Sequence, residues 1–146
     1  MIIVLISLSI TGFVTVKSVE KYFIKNTEDA LITHAYVLQT FLAPELKGQQ
    51  TSLTHLNEKI RELGKDINAR ITIVDLDGQV IADTERPPDA LGNHGNRPEI
   101  EKAYKGKIGK SIRYSSSIGT KMMYIAVPVI NGDTISAVLR LALPLS

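Results

Sequence analysis

The sequence predicts an α+β fold, a long N-terminal helix followed by strands that pair into one antiparallel sheet with helices on one face. Three observations predict it. No Pro or Gly interrupts residues 13–43, so one helix can run through them unbroken. Beyond Asn68 the apolar residues change to a two-residue alternation, seen at Ile71, Ile73 and Val80. Turn signals at Asp77-Gly78, Gly119 and Asn131-Gly132 then separate the runs, and such residues accept the positive φ that a tight hairpin needs.

Met1 to Val16 carries no charge. As a helix this run is about 24 Å long at 1.5 Å per residue, a little short of a hydrocarbon core of about 30 Å. A signal peptide would start basic and end in a small-residue cleavage site, whereas this chain opens Ile-Ile-Val and continues into Lys17-Ser-Val-Glu-Lys21. Residues 1–16 are therefore expected to be a transmembrane helix, either truncated or with a native start. A buried helix of a soluble protein is the other reading of so short a run. From Val16 the apolar positions become periodic through Val19, Leu31, His34, Leu38 and Phe41, so residues 17–46 read as a long helix emerging from the membrane. Pro44 ends it. A helix far above the average of about 11–12 residues calls for a bilayer or a partner helix.

Residues 47–146 read as one domain. Gly48-Gln-Gln-Thr51 is a loop, and Thr51 or Ser52 caps a second helix that places Leu53, Leu56, Ile60 and Leu63 on one side and stops at Gly64. Two strands flank Asp75-Leu-Asp-Gly78. Residues 85–98, rich in Pro, Gly and Asn, cannot be regular throughout. Pro98, with Glu99 and Glu101 in the first turn, opens a short helix to about Tyr104, and Lys105-Gly106 stops it. Strands over 108–116, 122–130 and 134–143 complete the chain.

Composition narrows the function. A formal net charge of +2, with Lys and Arg interspersed among Asp and Glu, gives no basic stripe for nucleic acid. The absence of Cys removes thiolate metal sites and cysteine nucleophiles. His34, His55 and His94 lack metal-ligand spacing, so no cofactor or metal is expected. Asp75, Asp77 and Asp83 read as solvated carboxylates around a turn, and Ser115 to Ser117 offers hydroxyls without a base. The chain is expected to have no catalytic activity.

The order of these elements, with particular stretches, resembles the single Cache (PDC, PAS-like) sensor domain of bacterial histidine kinases, and within it the PhoR-like group. The stretches are Ile73-Val-Asp-Leu-Asp-Gly-Gln-Val-Ile-Ala-Asp83, Asn93-His-Gly-Asn-Arg-Pro-Glu-Ile100, Gly109-Lys-Ser-Ile-Arg-Tyr-Ser115, Tyr124-Ile-Ala-Val-Pro-Val129 and Leu139-Arg-Leu-Ala-Leu-Pro144. Each is weak alone; their order and spacing carry the likeness, over most of residues 70–146. The resemblance implies a five-stranded antiparallel sheet of PAS-like topology, placed outside the bacterial cell membrane on its N-terminal helix. It further implies a homodimer through that helix and a cytoplasmic kinase, in a two-component phosphorelay, which this chain lacks. A chemoreceptor or cyclase output, or a ligand-free interaction module, is the alternative.

In such sensors a small ligand sits between the sheet and the segment covering it. The corresponding positions are Asn93, His94, Asn96 and Arg97 on that segment, Arg113, Tyr114 and Ser115 on the third strand, and Lys121, Met123 and Tyr124 on the fourth. Of these, His94, Arg97, Arg113, Ser115, Lys121 and Tyr124 are the expected contacts for a small anion, with Arg suited to grip a carboxylate or phosphate through two bonds. Strand alternation puts Arg113 and Ser115 on one face and Tyr114 on the other, so not all can converge. The competing readings are a loop at Asn93 to Asn96 that merely satisfies its own backbone, an Arg97–Glu101 pair along the helix, Met122 and Met123 filling the space, and an envelope protein as the partner.

Overall fold

The computed structural model describes residues 1–46, 52–116 and 118–145 of the chain. Helix α1 is continuous over Ile2–Leu42. The chain divides into two compact units, Met1–Ala30 and Leu31–Ser146. In the first unit an 18-residue window of mean hydropathy 2.1 is wholly unburied, and by length and composition the helix can cross a membrane. Four of its hydroxyls are satisfied internally. Ser7, Ser9, Thr11 and Thr15 each donate to a backbone carbonyl three or four residues earlier, at 2.8 to 2.9 Å, a pairing that needs no water.

In the second unit, α1 buries Leu31, Ala35, Leu38 and Leu42, the four-three-four spacing of one helical stripe. Helix α2, Leu53–Ile67, begins at Ser52, whose hydroxyl accepts from the His55 N–H. The 48–51 loop lies outside the described residues. The expected stop at Gly64 is corrected: α2 runs on to Ile67, and Asn68 closes it in the left-handed conformation at φ 50°. Gly64 serves packing instead, since a Cβ there would come within 2.8 Å of the Thr84 methyl.

The strands are β1 (Arg70–Val74), β2 (Val80–Asp83), β3 (Gly109–Ser115), β4 (Thr120–Asn131) and β5 (Thr134–Pro144). They form one antiparallel sheet in the order β2-β1-β5-β4-β3, so the last strand lies in the middle. All three expected hairpins are present, with Gly78, Gly119 and Gly132 at positive φ. Between β2 and β3 lie a single 3-10 turn, Pro88–Ala90, and helix α3, Pro98–Tyr104. Pro128 fits within β4 because β3 has already ended: its last pair is Gly109 with Ala126, so no third strand asks for the missing N–H.

Helices cover both faces of the sheet, which corrects the expectation of one. On one face Ile100 and Ala103 of α3 pack with Val74, Val80, Ala126 and Val138. On the other, Ile71, Ile73, Ile125, Leu139 and Leu141 are fully buried, and the buried stripes of α1 and α2 are what remains to cover them. The reason is visible in β4 and β5, whose runs of consecutive buried residues leave neither face for water.

Candidate functional site

Arg140 is the only charged residue of β5 and is 4% exposed. It lies on the α3 face, opposite Thr72 of β1 and Ala126 of β4. Its Nη2 donates to Thr72 Oγ1 at 3.1 Å and its Nη1 lies 3.5 Å from Glu99 Oε1, while its buried Nε has no partner among the described residues. Burial pulls the Arg140 pKa down, Glu99 works the other way, and the charges of Arg70 and Arg113 add to the fall.

Two carboxylates hold the arginines of this face. Asp83, fully buried at the end of β2, accepts from Arg70 Nε at 3.1 and 3.2 Å, from Thr72 Oγ1 at 2.7 Å, and from the backbone N–H groups of Glu85 and Arg86. This corrects the reading of Asp83 as a solvated turn residue. β2 pairs Asp83 with Thr72, and that register turns the carboxylate toward Arg70. Glu99, in the first turn of α3, takes two parallel bonds from Arg113, at 2.9 and 3.0 Å. Burial raises the Glu99 pKa, but the Arg113 bonds and the charges of Arg113 and Arg140 outweigh it, so the group stays ionised below its ordinary range. Arg113 also stacks on the Tyr124 ring, 3.7 Å from its centroid, with Arg140 at 5.3 Å from the same ring.

Above this floor the 84–97 segment closes a cavity of about 290 Å³. Of the expected contacts, His94, Arg97, Arg113, Ser115 and Tyr124 line it together. Lys121 does not join them: it alternates with Thr120 and Met122 onto the opposite face of β4 and is exposed. Met122 forms part of the lining, whereas Met123 is buried on the other face. Tyr114 reaches the lining from the exposed edge strand despite its place in the alternation. Asn93 fits the structural reading of its loop, donating to the Asp77 carbonyl and accepting from the Gly95 N–H, both at 2.8 Å. Asn96 is exposed and outside the lining. Among the described residues no ion pair joins Arg97 to Glu101; their bond is the backbone one that starts α3.

The sequence reading missed Arg70, Arg86 and Arg140, which also line the cavity. A signal for Arg140 existed: one cation inside the apolar run Ala137-Val-Leu-Arg-Leu-Ala142 must face something polar. Five arginines thus surround the space, against Asp83, Glu85 and Glu99. Among the described residues Arg86 and Arg97 have no ion pair, so the cavity is positive. His94 adds no charge. Burial, followed by the charges of Arg140, Arg97 and Arg70, pushes its pKa down to about 4, with Asp83 opposing. Its backbone N–H donates to the Gly78 carbonyl at 2.8 Å, and its buried Nδ1 has no partner among the described residues. The arrangement can hold an anion by paired, charge-assisted hydrogen bonds. Arginine does not give up its proton, so these side chains bind rather than exchange protons. Among the described residues no group of three or more His, Asp or Glu is placed to hold a metal ion.

No family model matches the chain, and no curated protein matches it. Solved structures do. The sensor domain of the V. cholerae histidine kinase DctB superposes with a TM-score of 0.71 at 20% identity, over 87% of this chain and 52% of that one. The ligand-binding domain of the Campylobacter jejuni chemoreceptor Tlp3, in complex with 4-methylisoleucine, gives 0.71 at 13% identity over 87% and 55%. The E. coli DcuS sensor domain gives 0.59 at 20% identity, over 82% of this chain and 92% of that one. The chain spans about half the length of the first two. Its long N-terminal helix and five-stranded antiparallel sheet are therefore the fold of these sensor domains.

Proposed function

We propose that this chain is the extracytoplasmic sensing part of a bacterial membrane receptor of the histidine-kinase kind, tethered by the first half of α1, and that it reads a small anion in the arginine-lined cavity. The observation that carries this reading is the pair of buried nitrogens, Arg140 Nε and His94 Nδ1, that have no partner among the described residues, in a cavity whose Arg86 and Arg97 also have no ion pair among them. A protein does not keep such groups buried without gain elsewhere, because each unmade bond costs about 1–3 kcal/mol. An arriving anion supplies the acceptor that the Arg140 Nε–H lacks.

The sensor folds it superposes on support the receptor role, and Tlp3 in complex with isoleucine supports small-molecule recognition on this scaffold. In this reading two copies associate through α1, and the anion favours one of two helix arrangements, which passes to a cytoplasmic output. Calorimetric titration of the full chain in detergent micelles with carboxylates, phosphate and sulfate tests it. Saturable binding that is lost in Arg113→Ala is expected. No binding by any of them would leave the ligand-free readings, a contact with another envelope protein or a module that only sets dimer geometry.

A further inference from the structure

We infer that the cavity selects an anion with no ammonium group, and that His94 takes up a proton when that anion binds. The inference rests on the anion-binding reading above and names the ligand's charge type. Its first half comes from the commitment of the acidic groups. An ammonium needs a free carboxylate or carbonyl in a dry site. Asp83 and Glu99 are both 0% exposed and already hold arginines, Asp83 through Arg70 and Glu99 through Arg113 and Arg140. Glu85 is drawn to Arg70. An amino acid would therefore bring its ammonium among five guanidiniums with no uncommitted carboxylate among the described residues to receive it. An acid of the same carbon skeleton without the amino group meets no such repulsion.

The second half comes from the position of His94. It is 8% exposed, with Nδ1 buried in the cavity wall and without a partner among the described residues. The charges that act on it are those of Arg70 on β1, Asp83 on β2, Arg97 on its own segment and Arg140 on β5. Arg113 and Tyr124 complete the same wall from β3 and β4. Burial first, and then three cations against one anion, keep the imidazole neutral while the cavity is empty. An anion placed among those cations reverses the local balance, so the imidazolium becomes the favoured form and Nδ1 becomes a second N–H donor. Binding then carries a proton in with the anion, and affinity rises as pH falls.

The test uses the full chain in micelles and two probes, sulfate and glutarate, titrated between pH 6.5 and 8.5, where both are ionised. Heats measured in two buffers of different ionisation enthalpy report the proton. Affinity is expected to rise by up to about tenfold for each unit of pH lowered, with net proton uptake. His94→Gln should bind more weakly and lose both the slope and the uptake. L-glutamate, which differs from glutarate by the ammonium, should bind at least about tenfold more weakly, the effect of roughly one pair of like charges. Glutarate binding with a flat pH profile overturns the proton half, and L-glutamate binding as tightly as glutarate overturns the selectivity half; in either case the anion-binding reading survives. If neither sulfate, glutarate nor L-glutamate binds, the inference falls together with that reading.

Discussion

Glu99 and Arg113 meet through two parallel hydrogen bonds of 2.9 and 3.0 Å, which tie the first turn of α3 to the edge strand β3. The pair is buried on its carboxylate side, and the same carboxylate faces Arg140. Removing its charge leaves two guanidiniums opposed in a low-dielectric space. Glu99→Gln should therefore lower stability by about 3–5 kcal/mol, the cost of breaking a buried pair from one side. Denaturant unfolding measures it, and an unchanged midpoint would mean the pair contributes nothing.

Beside that pair, Gly109 lies against the backbone of Glu99. A Cβ there would overlap the Glu99 carbonyl oxygen, and that carbonyl belongs to a helix that cannot move alone. Gly109→Ala should cost about 3 kcal/mol and should weaken anion binding as well, because α3 carries Glu99 away from Arg113. A stable variant with unaltered binding would contradict this coupling.

Acid should loosen the fold before its carboxylates titrate. His94 has a folded pKa of about 4 against an ordinary 6.5, so between these values the unfolded chain binds more protons than the folded one. The stability this provides is complete above pH 6.5 and is lost as pH falls toward 4. Glu99, also held below its ordinary value of 4.5, contributes its loss only below that pH. Thermal unfolding in the absence of added anion should thus fall from pH 6.5 to 4.5, and His94→Gln should flatten that window. A slope that persists in the variant would assign it to another group.

Pairing of two copies through α1 is open to a direct probe because the chain has no Cys. Single substitutions Val19→Cys and Phe23→Cys, both at exposed apolar positions four residues apart, should give disulfide-linked dimers in membranes. Cross-linking equal at every neighbouring position would indicate random collision instead of a packed seam.

The strands and hairpins were legible because local chemistry decides them. Asp77-Gly78 and Asn131-Gly132 demand tight turns, and Pro98 with two acidic neighbours demands a helix start. Five of the six expected contacts line the cavity for a related reason: alternation along β3 and β4 places Arg113, Ser115 and Tyr124 on one face. Lys121 fell to the other face by the same rule. What stayed hidden depends on pairing between distant segments. Asp83 looks like a turn residue until β1 brings Thr72 and Arg70 to it, and the sheet's second helical cover follows only once β5 is known to lie between β1 and β4.

The central claim, that this cavity receives an anion, is tested most directly at Arg140 Nε. Nuclear magnetic resonance of arginine side-chain N–H groups in the full chain, titrated with sulfate and with glutarate, reads that one atom. The account predicts a saturable shift of the Arg140 Nε–H resonance that disappears in Arg113→Ala. A resonance that does not move with either anion, or that moves equally in the variant, would contradict it.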